Sequence, residues 1–307
     1  MLAAYADAGI EITNHKSQMS QLLLAVDTSG KNGSVALARV SPGHSEVEII
    51  EAVPLAGGTF SAQLVPQISA LLAKHGYTKS DLASFAAVSG PGSFTGLRVG
   101  LAAIKALAEV LEKPIAAISL LEAVACSSPA LSRTSVGRPP GPPDSALFAG
   151  WGGSFLPASV GRPPESPDSM GAPSLQRSLR QGWVLAALDA GRGEVYVGDY
   201  ERDDQKRGDN DTVEPDPGLR MNSERLLTRA AFLAEAQGKS VVTPDAAVAE
   251  MLSAAAIPCE QIDYPSSAVI ARLGWGRIQR DETVRPEDLE ANYIRRSDAE
   301  IFSQPKP

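Results

Sequence analysis

The residues best placed to do chemistry sit in SGPGSFTGLRVG, residues 89–100, where Gly90, Gly92 and Gly96 surround Ser93 and Thr95. A glycine turn that opens a helix can cradle a phosphate, because free backbone N–H groups and the helix dipole favour an anion there. The kinase-type loop GxxxxGK[ST] is not written here: Gly96 is followed by Leu97 and Arg98, so no lysine reaches the outer phosphates. The dinucleotide pattern GxGxxG fails too, since Thr95 stands where its third glycine belongs. A second turn, Asp27-Thr28-Ser29, could present a carboxylate to magnesium, although an aspartate that initiates a turn is the plainer reading. Asp27, Thr28, Ser29, Gly90, Gly92, Ser93 and Thr95 are therefore the candidate nucleotide contacts. Packing is the competing role for the glycines, because Gly96, Gly100 and Ala103 share one helix face that would let another backbone approach.

The elements around these turns follow from periodicity. Leu22–Val26 is an apolar run of strand length, and Gly33–Arg39 is a second, so the turn between them makes a β-hairpin with Asp27 at a strand end. A third strand is expected at Val47–Val53. Leu64, Val65, Ile68, Leu71 and Leu72 recur at helical spacing within 61–75, where Pro66 must lie near the first turn or kink the helix. A strand at 82–89 leads into the glycine loop and then a helix over 96–111. Leu97, Val99, Leu101, Ile104, Leu107, Val110 and Leu111 cover most of that helix, which predicts burial on more than one side. A strand at 115–119 and a helical stretch at 120–126 complete an α/β unit with a parallel crossover.

The chain then repeats its own beginning. WVLAALDAGRGEVYVGDY, residues 183–200, gives an apolar strand, an aspartate (Asp189), a glycine turn and an alternating strand, as LLLAVDTSGKNGSVALAR does at 22–39. The remainder predicts a helix at 223–236, a strand at 240–243 and helices near 246–255 and 267–280. Between the two halves, SVGRPPGPPDS recurs as SVGRPPESPDS, and ten of the 23 prolines fall between Pro129 and Pro173. That composition cannot offset ordering entropy and predicts a disordered insertion over 127–181. The division expected is a loose extension at 1–20, one lobe at 21–126, the insertion, a second lobe at 182–300 and a tail at 301–307.

Composition narrows the function classes. With 28 basic and 36 acidic residues the formal charge is −8, so no general footprint for a nucleic-acid backbone exists. Three histidines and two distant cysteines give no metal-ligand spacing, and the expectation is a protein without a metal, at home in a reducing cytoplasm. No run approaches the ~20 apolar residues of a membrane span.

GPGSFTGLRVGLAAIKALA, VDTSGKNGSVALA, LAALDAGRGEVY and the closing YIRRSDAE, in this order, resemble the TsaB (YeaZ-like) family over roughly 21–126 and 181–300. The resemblance implies an α/β, actin-like ATPase fold (RNase H-like) with two duplicated lobes. It also implies a non-catalytic scaffold that dimerises with a TsaD-like catalytic subunit, alongside a TsaE-like ATPase, in making threonylcarbamoyladenosine in tRNA. RNA contact would then be indirect, ATP or ADP would bind at most weakly or be shared with the partner, and a homodimer could form when the partner is absent. The TsaD-type HHxEGH metal motif falls on Ser119–Val124, where Leu120 and Val124 replace the ligating histidines. Helices 61–75 and 96–111 are the implied partner face, with Leu64, Ile68, Leu71, Gly96, Gly100, Leu101 and Ile104 as its expected residues. On that reading Ile104→Glu abolishes pairing and leaves the monomer folded. The alternative class is an actin-like small-molecule kinase, or a glycoprotease, acting alone.

Overall fold

The computed structural model describes residues 20–128, 183–202 and 219–295. The extension at 1–19, the span 129–182 and the tail beyond 295 lie outside the described residues, and with them the expectation of disorder over 127–181 except at Ser127 and Ser128, of which Ser128 is fully buried.

The described residues form two compact units, one of 20–88, Thr95–Ala117 and Ser266–Glu290, the other of Ser89–Phe94, 118–128, 183–202, 219–265 and 291–295. In the first unit β1 (Gln21–Asp27) pairs antiparallel with β2 (Gly33–Val40), which pairs antiparallel with β3 (Val47–Leu55). On its other side β1 pairs parallel with β4 (Leu82–Gly90), reached through helix α1 (Phe60–Lys74). Helix α2 (Phe94–Leu111) then returns the chain to β5 (Ile115–Ser119), and the sheet order is β3-β2-β1-β4-β5. Leu23, Leu24, Val35, Leu37 and Phe85 are fully buried in this sheet, because strands covered on both faces read as continuous apolar runs.

Two helices cover opposite faces of the first sheet. A Cβ at Gly33 would meet the Phe60 ring of α1, whereas α6 (Ser267–Gln279) packs its Gly274 on Ala86. The strand register puts Ala86 on the side opposite Gly33, since Ala25 lies beside both Ala86 and Ala36. Pro66 falls at the seventh position of α1, past the first turn, and leaves the Ala62 carbonyl without its intrahelical donor.

The second unit repeats the plan. Strand β6 (Trp183–Gly191) pairs antiparallel with β7 (Glu194–Arg202), β7 with β8 (Leu219–Thr228), and β6 parallel with β9 (Val241–Thr243). With β10 (Cys259–Gln261) the order is β10-β9-β6-β7-β8, the counterpart of the first sheet strand for strand. Helix α3 (Leu120–Cys126) packs on β6 and β7, while α4 (Arg229–Glu235) and α5 (Ala246–Ala254) complete the unit. The helix expected at 223–236 is shorter than its periodicity suggests: residues 223–228 belong to β8. Cross-strand pairing with β7 outweighs helix propensity there, and Thr228 caps α4 by accepting from the Ala231 N–H at 3.3 Å. Strand β10, only three residues long, left no periodic signal.

Candidate functional site

Asp27 ends β1 with its side chain buried, and it initiates the turn as expected. Its Oδ1 accepts from the Ser29 N–H at 2.8 Å and from the Ser29 hydroxyl at 2.6 Å. Burial pushes the Asp27 carboxyl up, and only these two hydrogen bonds pull it back. Thr28, 3% exposed, donates its hydroxyl to the Gly96 carbonyl at 2.8 Å. Asp189 is the equivalent in the second lobe and accepts from the Gly191 N–H at 3.1 Å. The two hairpins thus share the same side-chain-to-backbone turn, but Asp189 is exposed.

Within the first unit the Asp27 turn meets α2 directly. A Cβ at Gly100 would come within 2.3 Å of Thr28 Oγ1, so Gly100 and the buried Gly96 form the small face on which that threonine rests. Gly90 has φ 138° and follows a different logic, because a Cβ there would lie 2.6 Å from the Asn292 carbonyl oxygen. Ser93 and Thr95 are exposed and Gly92 partly so. Asp27, Thr28 and Ser29, among the candidate nucleotide contacts, thus hydrogen-bond within the fold.

The expected partner-face residues are corrected by burial. Leu64, Ile68, Leu71, Leu101 and Ile104 are 1%, 4%, 3%, 5% and 0% exposed, and Gly96 and Gly100 are buried, so all seven serve the protein's own core. What the same two helices turn outward is a different stripe. On α1 it comprises Ala62, Val65, Pro66, Ser69 and Ala73; on α2 it is Arg98, Ala102, Ala106 and Val110, spaced four apart along one face. Val65 and Val110 are 58% and 72% exposed. Apolar residues around most of α2 had hidden which side was which.

Sequence reasoning missed a hydrogen-bonded cluster in the second unit. Glu224 on β8 accepts from the Tyr200 hydroxyl at 2.7 Å, from the Asn292 amide at 2.9 Å and from Ser119. Burial and the adjacent Glu224 push the Tyr200 phenol up, which favours its role as a donor to that carboxylate. Arg295 and Glu194 pair with each other. Nothing in the sequence marks Glu224, because its three partners lie 24, 68 and 105 residues away.

Two sheets of one strand order, each opening with a hairpin whose aspartate sets the turn, define the actin-like, RNase H-like class. A YeaZ structure from Pseudomonas aeruginosa superposes with a TM-score of 0.54 at 20% identity, covering 89% of this chain and 99% of that one. Within that class the chain is similar to the TsaB proteins. It is 33% identical to the tRNA threonylcarbamoyladenosine biosynthesis protein TsaB of Bacillus subtilis, over 34% of this chain and 44% of that protein. It is 26% identical to the TsaB protein of Escherichia coli over 59% of this chain and 56% of that protein. The matched stretch thus spans about half the length of these relatives. Residues 54–138 also match the family model described as TsaD, tRNA N6-adenosine threonylcarbamoyltransferase.

Proposed function

We propose that this protein is a non-catalytic subunit in threonylcarbamoyladenosine synthesis on tRNA, which works by pairing with a TsaD-like catalytic subunit. The observation that carries the reading is the similarity to TsaB proteins named for that pathway, on a chain with the same fold as YeaZ. At Leu120 and Val124, where the TsaD-type motif would place its ligating histidines, both side chains are aliphatic and at most 2% exposed. They pack the core and have no lone pair to offer a metal.

The partner face is the outward stripe of α1 and α2. Small side chains at Ala62, Ala73, Ala102 and Ala106 let facing helices approach closely, with Val65 and Val110 as the apolar contacts. A pairing of standard size would bury roughly 1,600 Å² in total. The same stripe serves a homodimer when the partner is absent. A TsaE-like ATPase, nucleotide shared at the subunit contact through the glycine loop, indirect contact with tRNA and a cytoplasmic location complete the proposal. Among the described residues no helix is long and apolar enough to cross a membrane.

Ala106→Glu puts a carboxylate on the stripe and should abolish co-purification with the TsaD-like subunit while leaving the fold intact. Ile104→Glu, by contrast, buries an unpaired charge at a fully buried site, costs several kcal/mol and unfolds the first lobe. Depletion of the protein followed by nucleoside analysis of tRNA tests the pathway. Unchanged threonylcarbamoyladenosine would sink it.

A further inference from the structure

Residues 292 and 293 contact the glycine loop. Residues 291–295 follow the elements of the second sheet in sequence and fasten to it at several points. The Asn292 N–H donates to the Ser89 carbonyl at 2.7 Å, and Ser89 in turn donates its hydroxyl to the Ile118 carbonyl at 3.2 Å. The Asn292 carbonyl occupies the space a side chain at position 90 would need, which is why a glycine stands there. The Asn292 amide reaches Glu224, already held by Tyr200 and Ser119. Tyr293 lays its ring 5.0 Å from that of Phe94, the first residue of α2. Arg295 closes the run by donating to the Gly191 carbonyl at 3.3 Å and to Glu194, 5.9 Å above the Tyr196 ring.

We infer that Ala291–Arg295 is a strap that fixes the loop Ser89–Phe94, and with it the first residue of α2, in the shape the TsaD-like subunit reads. Asn292 is the positioning residue. This rests on the partner face proposed above, since the loop runs straight into the helix that carries it. The contacts divide the work. The backbone bond to Ser89 sets the height of the loop, the amide bond to Glu224 anchors the strap to β8, and the aromatic pair holds Phe94. A carboxylate acceptor makes the Glu224 bond the strongest of these. Two partly exposed aromatic rings, each 40% exposed, are then left facing outward beside the start of α2.

Asn292→Asp sets two carboxylates against each other and releases the strap, and adding Glu224→Gln restores one amide and one carboxylate with their places exchanged. Hydrogen exchange on the full chain reads the loop without any partner, and calorimetric titration with the TsaD-like subunit reads the consequence. Asn292→Asp should speed exchange at residues 89–94 about tenfold and weaken partner binding about tenfold, and the double variant should recover both. Tyr293→Ala, at an exposed position, should do the same more mildly and guards against a variant that fails to fold. Unchanged exchange in Asn292→Asp and Tyr293→Ala would show that the strap does not hold the loop. Faster exchange with undiminished affinity would show that the partner ignores the loop's shape, which overturns the inference. If the wild-type protein itself fails to bind the TsaD-like subunit, the proposed function falls and the partner half of the inference falls with it. The exchange data then still report on the strap alone.

Discussion

Gly100→Ala separates a glycine kept for packing from one kept for phosphate. Alanine at an interior helix position is favoured over glycine by roughly 0.5–1 kcal/mol, so propensity alone predicts a more stable protein. The structure predicts the reverse. The new methyl would lie 2.3 Å from Thr28 Oγ1 and 3.5 Å from both Cβ and Cγ2, so the threonine must turn away. Turning breaks its 2.8 Å bond to the Gly96 carbonyl and strands a hydroxyl on a residue only 3% exposed. An unsatisfied buried hydroxyl costs about 1–3 kcal/mol, so after the propensity gain of about 0.5–1 kcal/mol the net loss should be about 0–2.5 kcal/mol. In a Thr28→Ala background the clash is gone, and Gly100→Ala should there stabilise by about 0.5–1 kcal/mol. The double-mutant cycle, measured by urea unfolding followed by circular dichroism, should therefore give a coupling of about 1–3 kcal/mol. Additive effects, or a single variant more stable than wild type, would refute the packing account of this glycine.

Burial raises the folded-state pKa of Asp27 above its ordinary value of 3.8, so its contribution to stability is present below that pH and is lost as the pH rises through the folded value. Asp27→Asn should accordingly raise the melting temperature at pH 7, with the gain vanishing toward pH 3; a lower melting temperature at pH 7 would mean that the ionised carboxylate is needed. Phe232 is fully buried among Leu185, Val195, Val197, Val241 and Leu252, and Phe232→Ala should destabilise the second lobe by about 3–5 kcal/mol in the same urea assay. Loss of under 1 kcal/mol would mean the cluster collapses around the gap.

Much of the fold was legible because its signals are local. The apolar runs at Leu22–Val26 and 183–188, and the aspartate closing each, announce a hairpin by pattern alone, and the doubled hairpin announces the doubled lobe. The helix starts of α1 and α2 were legible for the same reason. Residues 223–228 were misread because their helical spacing competes with a partner strand that the sequence does not reveal. The seven expected interface residues were misread because α2 is apolar on nearly every side. Periodicity shows that a helix is buried, but which side meets its own sheet depends on where the sheet lies.

By itself, then, the sequence determined strand and helix identity outside 223–228 and β10, the duplication, the Asp27 turn and the likeness to TsaB. Each rests on residues close together in the chain or on ordered motifs. Only the tertiary structure decided that Ile104 faces inward and Val110 outward, that Gly100 makes room for Thr28, and that Gly90 makes room for Asn292. Those pairings join residues 72 and 202 positions apart, and contacts at such separations leave no periodic trace. They exist because two sheets must each bury both faces, and burial selects partners by position in space.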